Sequence, residues 1–205
     1  MKEQDFTYQS IKEPSKGIFK DKGSKFLAFA YPLTSEEEIK HKIELLRKEY
    51  FDAKHHCYAY RMGVKGEIFK SNDDGEPSGT AGKPILGQIL SFNVTNILII
   101  VVRYFGGTLL GTGGLIKAYK AATFDALSNA TITTYELSNM LTVKFSYLEM
   151  NKVMKAVKDL NLEVLEQNFG NECNITLKVN KKTVPDVLHR FELSENIEII
   201  KLDDK

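Results

Sequence analysis

EPSGTAGKPILGQILSFNVTNILIIVVRYFGGTLLGTGGLIKAY, residues Glu76–Tyr119, is the stretch that decides the fold. It holds a glycine-rich loop (Glu76–Lys83), a strand without polar alternation (Ile97–Val102), and a second cluster of five glycines before a helix predicted to begin near Leu115. A strand that is apolar on both faces is expected between two covering layers. Glycines are clustered, at an entropic cost, where the backbone turns sharply or another group approaches closely. The two loops therefore predict a binding site around one buried strand.

Upstream of this stretch, the sequence predicts a strand, a helix and a hairpin. Lys25–Leu33 is rich in aromatic residues, as buried strands are. Ser35, followed three residues later by Glu38, predicts a capping box at the start of an amphipathic helix. His56–Met62 and Glu67–Lys70 lie on either side of a glycine-containing turn and predict a hairpin. The first glycine loop follows that hairpin, and a helix with Ile85, Leu86, Ile89 and Leu90 on its inner face follows the loop.

Downstream, polar and β-branched residues replace the apolar periodicity near Thr131–Ser138, and we place a domain boundary there. The predicted domains are residues 1–134 and 135–205. In the second domain the order is strand, helix, strand, strand, helix, strand, which is typical of the split βαβ, ferredoxin-like arrangement. The fold class is therefore α+β with two domains. The segments of the second domain are Met140–Tyr147, Met150–Leu160, Glu163–Phe169, Cys173–Val179, Val184–Phe191 and Ile197–Leu202.

Composition places the chain among globular proteins. Its 205 residues are 42% hydrophobic and 27% charged, so a core is expected and disorder is not. The net charge of +1 argues against a strongly basic nucleic-acid binder. The two cysteines form no disulfide framework, and no apolar run is long enough for a signal core or a membrane span. We expect a soluble, cytoplasmic protein, with a solvated edge or an irregular strand over residues 1–24.

Neither glycine loop contains a complete nucleotide-binding motif. A Walker A motif needs a glycine five residues before its Gly-Lys pair and a Ser or Thr after it. Here the pair Gly82-Lys83 has Pro77 at that distance and Pro84 after it. In the second cluster, Ile116 occupies the position where a dinucleotide fingerprint needs its third small residue.

The second loop nevertheless favours an anion. Backbone N–H groups at the start of a helix carry partial positive charge and bind phosphates, and basic and hydroxyl side chains are close in sequence. We predict phosphate binding, on a small ligand or on nucleic acid. The alternative, that the glycines serve tight packing of a helix on a sheet, stays open. The predicted phosphate-binding or nucleic-acid-binding residues are Lys83, Arg103, Thr108, Thr112, Gly113, Gly114 and Lys117.

Two further groups of side chains are more consistent with structural roles. In the triplet His55–Cys57 only the first and third residues can share a strand face, so neither a metal site nor a Cys–His nucleophile pair is predicted. Asp73, Asp74 and Glu76 have groups suited to acid–base or Mg²⁺ chemistry, but acids in turns more often hydrogen-bond the loop backbone. No recognised catalytic motif is present. We predict no metal and no cofactor, and the sequence leans against an enzyme.

Four segments of the chain resemble one known family. DDGEPSGTAGKPIL (Asp73–Leu86) and VVRYFGGTLLGTGGLIKAY (Val101–Tyr119) look like the signature of the YigZ/IMPACT family. KGSKF (Lys22–Phe26) and HHCYAYR (His55–Arg61) fit the same pattern upstream. The family pattern falls here on Glu76, Gly79, Thr80, Gly82, Arg103, Phe105, Gly106, Gly107, Gly111, Gly114 and Lys117.

The resemblance implies an N-terminal domain like ribosomal protein S5 domain 2 and a C-terminal ferredoxin-like domain similar to the last domain of elongation factor G. Both fold groups recur in proteins that touch RNA or the ribosome, which is an analogy of fold alone. Eukaryotic relatives act in translational control through an extra N-terminal domain, and that partner role is not transferred to this chain.

These observations lead to three hypotheses. The first is a translation-linked regulatory protein that binds RNA or a ribosomal element, with phosphates on the glycine loops and bases stacked on Tyr58, Tyr60, Tyr104 and Phe105. The second is an enzyme or binder of a small phosphorylated or carboxylated ligand, which would use Asp74 or Glu76 with Lys83 and Arg103. The third is a protein–protein adaptor. The sequence predicts neither the identity of the ligand nor the oligomeric state.

Overall fold

The computed structural model describes residues 6–170, 172–192 and 196–204. The chain divides into two compact units. One spans Tyr8–Tyr135, and the other is formed by the described residues of Met1–Thr7 and Glu136–Lys205. Both units contain helices and sheets, so the predicted α+β class with two domains is confirmed. The predicted domain limits, residues 1–134 and 135–205, stay a prediction.

The first unit is built on a five-stranded sheet in which every neighbouring pair is antiparallel. The strand order is β2-β3-β6-β4-β5, and strands β1 and β7 pair separately. In residues 1–24, where an edge or irregular strand is predicted, the described residues from 6 onward form β1, β2 and the first residue of β3. The elements are β1 (Thr7–Ile11), β2 (Ser15–Asp21), β3 (Ser24–Pro32), α1 (Glu37–Glu49), β4 (His55–Met62), β5 (Ile68–Asn72), α2 (Gly82–Ser91), β6 (Ile97–Tyr104), α3 (Gly111–Ser128) and β7 (Ile132–Glu136).

Strand β6 lies at the centre of this sheet, with hydrophobic cores on both of its faces. Ile97, Ile99 and Val101 pack in the core under α2 and α3, whereas Leu98 and Ile100 pack in the core that includes α1 residues. Residues 97–103 are all buried. The predicted two-sided cover of this strand is confirmed, and it explains why polar alternation is missing from its sequence.

The sequence predictions for α1 and α2 are each correct only in part. The predicted capping box is wrong, because Glu36 rather than Ser35 precedes the first turn of α1 and makes no side-chain cap. Thr34 instead donates a hydrogen bond to the Glu38 carboxylate. On α2, Ile85 and Ile89 are fully buried as predicted. Leu90 is 53% exposed, so its predicted place on the inner face is wrong.

Helix α3 begins at Gly111, earlier than the predicted start near Leu115, because its first turn includes part of the second glycine cluster. Gly111 has φ +70°, a conformation that glycine adopts without strain. Ala118, Ala122 and Ala126 are fully buried, as their helical spacing predicts. Strand β2 lies directly against them, since a Cβ on Gly17 would come within 2.2 Å of the Ala126 nitrogen.

The second unit has the predicted β-α-β-β-α-β order, and its four strands form an antiparallel sheet in the order β11-β8-β10-β9. Its core joins alternate residues of the strands, such as Leu141 and Val143, to Val153 and Phe191 of the helices. Met154, predicted on the inner helix face, is exposed. The elements are β8 (Ser138–Phe145), a 3₁₀ turn (Tyr147–Glu149), α4 (Met150–Asp159), β9 (Glu163–Phe169), β10 (Cys173–Asn180), α5 (Val184–Glu192) and β11 (Ile197–Asp204).

Candidate functional site

A buried ion pair connects the first glycine loop to the end of strand β6, both within residues 76–119. Glu76, from the first glycine loop, accepts a hydrogen bond at 2.6 Å from Nη1 of Arg103, the penultimate residue of β6. The guanidinium also lies over two aromatic rings, 5.4 Å from the ring centre of Phe26 and 5.7 Å from that of Phe105. Both charged side chains are almost completely buried, and Arg103 is 6% exposed. Paired burial of this kind is needed because an unpaired charge in the interior is very costly.

The same carboxylate is the end of a hydrogen-bonded chain that reaches β4. The Tyr119 hydroxyl donates to Glu76 Oε1 at 2.7 Å, and Cys57 Sγ lies 3.3 Å from that hydroxyl. Cys57 Sγ is also 3.0 Å from the carbonyl oxygen of Asp73. Burial raises the pKa of both the Cys57 thiol and the Tyr119 hydroxyl. Both groups therefore stay protonated near neutral pH, and a thiolate nucleophile is not available here.

Tyr119 is not among the site residues that the sequence predicts. A signal was present, since the helical spacing from Leu115 through Ala118 and Ala122 places Tyr119 on the buried side of α3. A buried tyrosine hydroxyl needs a hydrogen-bond partner, and the motif contains an acid for that purpose.

The first glycine loop is filled by a carboxylate from the protein itself. Asp73 Oδ1 accepts hydrogen bonds from the N–H groups of Ala81 (3.0 Å) and Gly82 (2.8 Å), and Oδ2 accepts one from Gly79 (2.8 Å). Burial acts to raise the pKa of Asp73, but these three hydrogen bonds and the charge of Lys83 outweigh it and hold the pKa below its usual range. The N–H groups that start α2 are thus already occupied by an anion.

Asp74 and the adjacent histidines also have partners within the protein. Asp74 accepts hydrogen bonds from Arg47 and from the backbone N–H of His56, each at 2.7 Å, and its carbonyl oxygen lies 2.8 Å from His55 Nδ1. His55 and Cys57 share the sheet face of Arg103, as their register indicates, and His56 lies on the other face. In the described ranges, no three His, Cys, Asp or Glu side chains are grouped so as to hold a metal ion.

The second glycine loop is open. Gly107, Gly111 and Gly113 have no atom within 4 Å of the position where a Cβ would stand. Thr108, Thr112 and Lys117 are exposed, and the first turn of α3 has no side-chain cap. Gly106 is different, because it packs on the β2–β3 turn, where its Cβ would lie 1.9 Å from the carbonyl carbon of Gly23. Gly106 thus serves close packing, though against a turn and not between a helix and a sheet as the alternative predicts. Open space surrounds Gly107, Gly111 and Gly113, whereas a Cβ on Gly114 would lie 3.0 Å from Leu110 Cβ.

The aromatic residues predicted to stack bases differ in their surroundings. Phe105 is 49% exposed, next to Arg103. Tyr58, Tyr60 and Tyr104 are partly buried and pack against the core on the α1 side of the sheet. Among the described residues, no helix is long and apolar enough to cross a membrane.

Comparisons with known proteins relate the sequence of this chain to one family. Residues 22–127 match the model of the Impact N-terminal domain, which includes both loops and every residue of the buried network. The chain is 34% identical to IMPACT family member YigZ of Escherichia coli (72% of this chain, 74% of that protein) and 29% identical to YvyE of Bacillus subtilis (86% and 81%). A crystal structure described only as that of a hypothetical protein matches with a TM-score of 0.73 and 26% identity, over 98% of this chain and 99% of that one.

Proposed function

Because the chain belongs to the IMPACT family, we propose that it is a translation-linked regulatory protein that binds RNA or a ribosomal element through phosphate contacts. The observation that carries this proposal is the contrast between the two glycine loops. The first is filled by the Asp73 carboxylate, whereas the second presents exposed backbone N–H groups at the start of α3, a helix of 18 residues. An uncapped helix N-terminus with adjacent hydroxyls suits a phosphate.

The proposed phosphate site is smaller than the set of residues that the sequence predicts. It consists of Thr108, Thr112, Gly113, Gly114 and Lys117, all on the second loop or the first turns of α3. Arg103 is not part of it, because its guanidinium is buried and paired with Glu76.

Lys83 lies in the first turn of α2, where its charge acts on Asp73. It is therefore also outside the proposed phosphate site. The glycines of the first loop, Gly79 and Gly82, have the same kind of role, since their N–H groups bind Asp73.

No observation favours a small-ligand enzyme over the RNA proposal. That hypothesis assigns the chemistry to Asp74 or Glu76 with Lys83 and Arg103. Both acids and Arg103 are paired inside the protein, and the charge of Lys83 acts on Asp73. If the chain is a protein–protein adaptor, variants of the proposed phosphate site should have no effect in an RNA-binding assay.

The test is binding of bulk cellular RNA over a salt series of about 50 to 200 mM, in which each phosphate contact on a single strand contributes roughly −0.7 to the slope of log affinity against log salt. Lys117→Glu should weaken binding and flatten the slope by about one contact. Gly113→Ala should lower affinity with little loss of stability, because its Cβ would meet no atom of the protein but would occupy open space where the proposal places the phosphate. Lys155→Glu, an exposed lysine of α4 with the same charge change, is the matched control.

A slope that flattens in Lys117→Glu and not in Lys155→Glu would support the proposed site. No RNA binding at the lowest salt would overturn the proposal, as would equal slopes for the two variants. In the first of these cases, phosphorylated metabolites would be screened by thermal shift, since a ligand that binds only the folded state raises the melting temperature.

A further inference from the structure

We propose that single-stranded RNA held at the second glycine loop continues onto the face of the five-stranded sheet opposite α3, along a surface formed by Lys16, Lys20, Lys25, Tyr50 and Tyr104. We call this surface the lysine face. The inference rests on the proposed function and assigns a second, separate set of contacts to it.

The side chains of β2 and β3 alternate between the two sides of the sheet, and the lysines lie on the side away from α3. Ser15 and Gly17 face α3, since Ser15 Oγ donates to the carbonyl oxygen of Ala126 and Gly17 touches that helix. Lys16 and Lys20 therefore point the other way. On β3, Phe26 packs under α3 and Leu27 on the other side, so Lys25 has the same orientation as the β2 lysines.

The register places two of these lysines directly opposite each other. Lys20 pairs with Lys25 across β2 and β3, and Lys25 pairs with Tyr104 across β3 and β6. Like charges in directly opposed positions destabilise a sheet. Within the described ranges, none of the three lysines has an acidic side chain within 4.0 Å. A bound polyanion would relieve this repulsion.

The acids nearest to this surface are already engaged. Asp125 accepts a hydrogen bond from the backbone N–H of Ile18 at 2.8 Å, and Asp52 accepts one from the Tyr104 hydroxyl at 2.7 Å. Glu49 is a third nearby acid, and it forms a hydrogen bond with Tyr50. These carboxylates keep their negative charge, but within the described ranges none of them lies within 4.0 Å of the three lysines.

A cavity of about 390 Å³ opens on the lysine face. The cavity lies at the β2 edge of the sheet. Lys16, Lys25, Phe29 and Tyr50 border it on the lysine face, and Asp125 and Asn129 border it on the α3 side. Lys16 Nζ lies 5.3 Å from the centre of the Phe29 ring. This volume falls in the range of sites for small organic molecules, so a nucleobase fits. Bases of single strands stack on aromatic side chains while lysines contact the phosphates. Tyr50 and Tyr104, both partly exposed, provide such rings.

The lysine face is continuous with the second glycine loop. The loop follows Tyr104 directly, and the β2–β3 turn packs against it through Gly23 and Gly106. The Gly106 N–H also donates to Ser24 Oγ at 3.1 Å. Lys25 directly follows that serine in β3. An RNA strand that extends from the second glycine loop across this end of the sheet therefore reaches the lysines.

A second groove lies on the same side of the sheet, next to α1, and is less suited to a polyanion. It measures about 460 Å³ and is bordered by three acids, Glu36, Glu44 and Asp74, beside three bases, Lys40, Arg47 and Lys70. Two of these bases are paired with two of the acids. Its basic side chains are therefore mostly in ion pairs, whereas the described structure shows no ion pair for the three lysines of the lysine face.

The test measures binding of a fluorescent oligouridine 12-mer to the full chain across the same salt series. The triple variant Lys16→Gln, Lys20→Gln, Lys25→Gln should flatten the salt slope by roughly 2, which corresponds to roughly 100-fold weaker binding at 0.1 M salt if three contacts are lost. The control is Lys40→Gln, Lys152→Gln, Lys155→Gln, which removes the same charge from exposed lysines elsewhere. The melting temperature of the triple variant should not fall, since a repulsive pair is removed. If the triple variant fails to fold, the three single variants replace it, each with an expected flattening of roughly 0.7.

The outcomes separate the two proposals. A loss in the lysine variant and not in the control supports the lysine face. A lysine variant that binds like wild type, while Lys117→Glu binds more weakly, overturns the lysine face and leaves the proposed function standing. If the wild-type chain binds no oligouridine at low salt, both proposals are overturned, and a protein partner becomes the next candidate for this surface.

Discussion

At the scale of single residues, Glu76 connects parts of the chain that are far apart in sequence. Its carboxylate is shared by Arg103 of β6 and Tyr119 of α3, and the chain of contacts continues to Cys57 of β4. Three secondary-structure elements are therefore fixed relative to one loop. The network holds the first loop in place.

Removing the charge of Glu76 should destabilise the protein strongly. In Glu76→Gln the Arg103 guanidinium stays buried without its counter-ion, and the loss of one partner of a buried pair costs about 3–5 kcal/mol. Urea unfolding followed by circular dichroism measures the change. Glu44→Gln, in an exposed pair with Lys40, should cost less than about 0.5 kcal/mol. Equal effects of the two substitutions would contradict the structural role of Glu76.

Asp73 should make stability depend on pH at the acid end. Its folded-state pKa lies below the unfolded value, so its contribution is fully present above the unfolded pKa of about 3.9 and is lost as pH falls through the folded pKa. Asp73→Asn should lower stability at pH 7 by about 1–2 kcal/mol and flatten this acid limb. Urea midpoints measured from pH 7 to about pH 2 test the prediction, with Asp21→Asn as the control. An unchanged acid limb would argue against it.

At the scale of elements, contact between β2 and α3 depends on one glycine. A Cβ at Gly17 would come within 2.2 and 2.7 Å of backbone atoms of Ala126 and Ala122, which move only with the helix. Gly17→Ala should therefore destabilise the protein by about 1–3 kcal/mol. Gly87→Ala is the matched control, because nothing lies within 4 Å of its Cβ and α2 should gain about 0.5–1 kcal/mol. Melting temperatures that move in opposite directions are expected, and a neutral Gly17→Ala would contradict the packing.

The elements were predictable wherever a local pattern determines them. The apolar run of β6 and the regular spacing of alanines in α3 both predict buried positions. The structure confirms that these residues are buried. The helix starts were not predictable, since the cap of α2 comes from Asp73, eight and nine residues before the N–H groups that it binds. A short-range capping rule cannot find such a distant partner. The sequence did favour hydrogen bonds from these acids to the loop backbone, and Asp73 forms them, but it did not indicate that they reach the start of α2.

At the scale of the whole molecule, each of the two units has its own hydrophobic core. The buried network, both glycine loops and the lysine face all belong to the unit Tyr8–Tyr135. Tyr8 and Tyr135 stack at 5.3 Å near the two ends of that unit, within the paired strands β1 and β7. Its ends are thus tied together by contacts within the unit.

The fragment Tyr8–Tyr135, expressed alone, should therefore fold and retain the RNA binding proposed for the full chain. We expect a cooperative thermal transition and a salt slope equal to that of the full chain, because every proposed phosphate contact is present. Circular dichroism and the oligouridine assay measure the two quantities. A fragment that folds but has a much shallower slope would mean that the second unit supplies contacts of its own.

The position of the Asp73 carboxylate at the start of α2 has a consequence for protein engineering. Three N–H groups there are arranged around a carboxylate that is covalently tethered to the chain. Asp73→Ala removes the carboxylate and leaves these three N–H groups free to bind a small anion from solution. Formate added to that variant should then raise its melting temperature towards the wild-type value. Above the dissociation constant of formate, the increase should grow with the logarithm of formate concentration. The wild-type protein should respond only weakly. Such chemical complementation would convert a structural loop into an anion sensor.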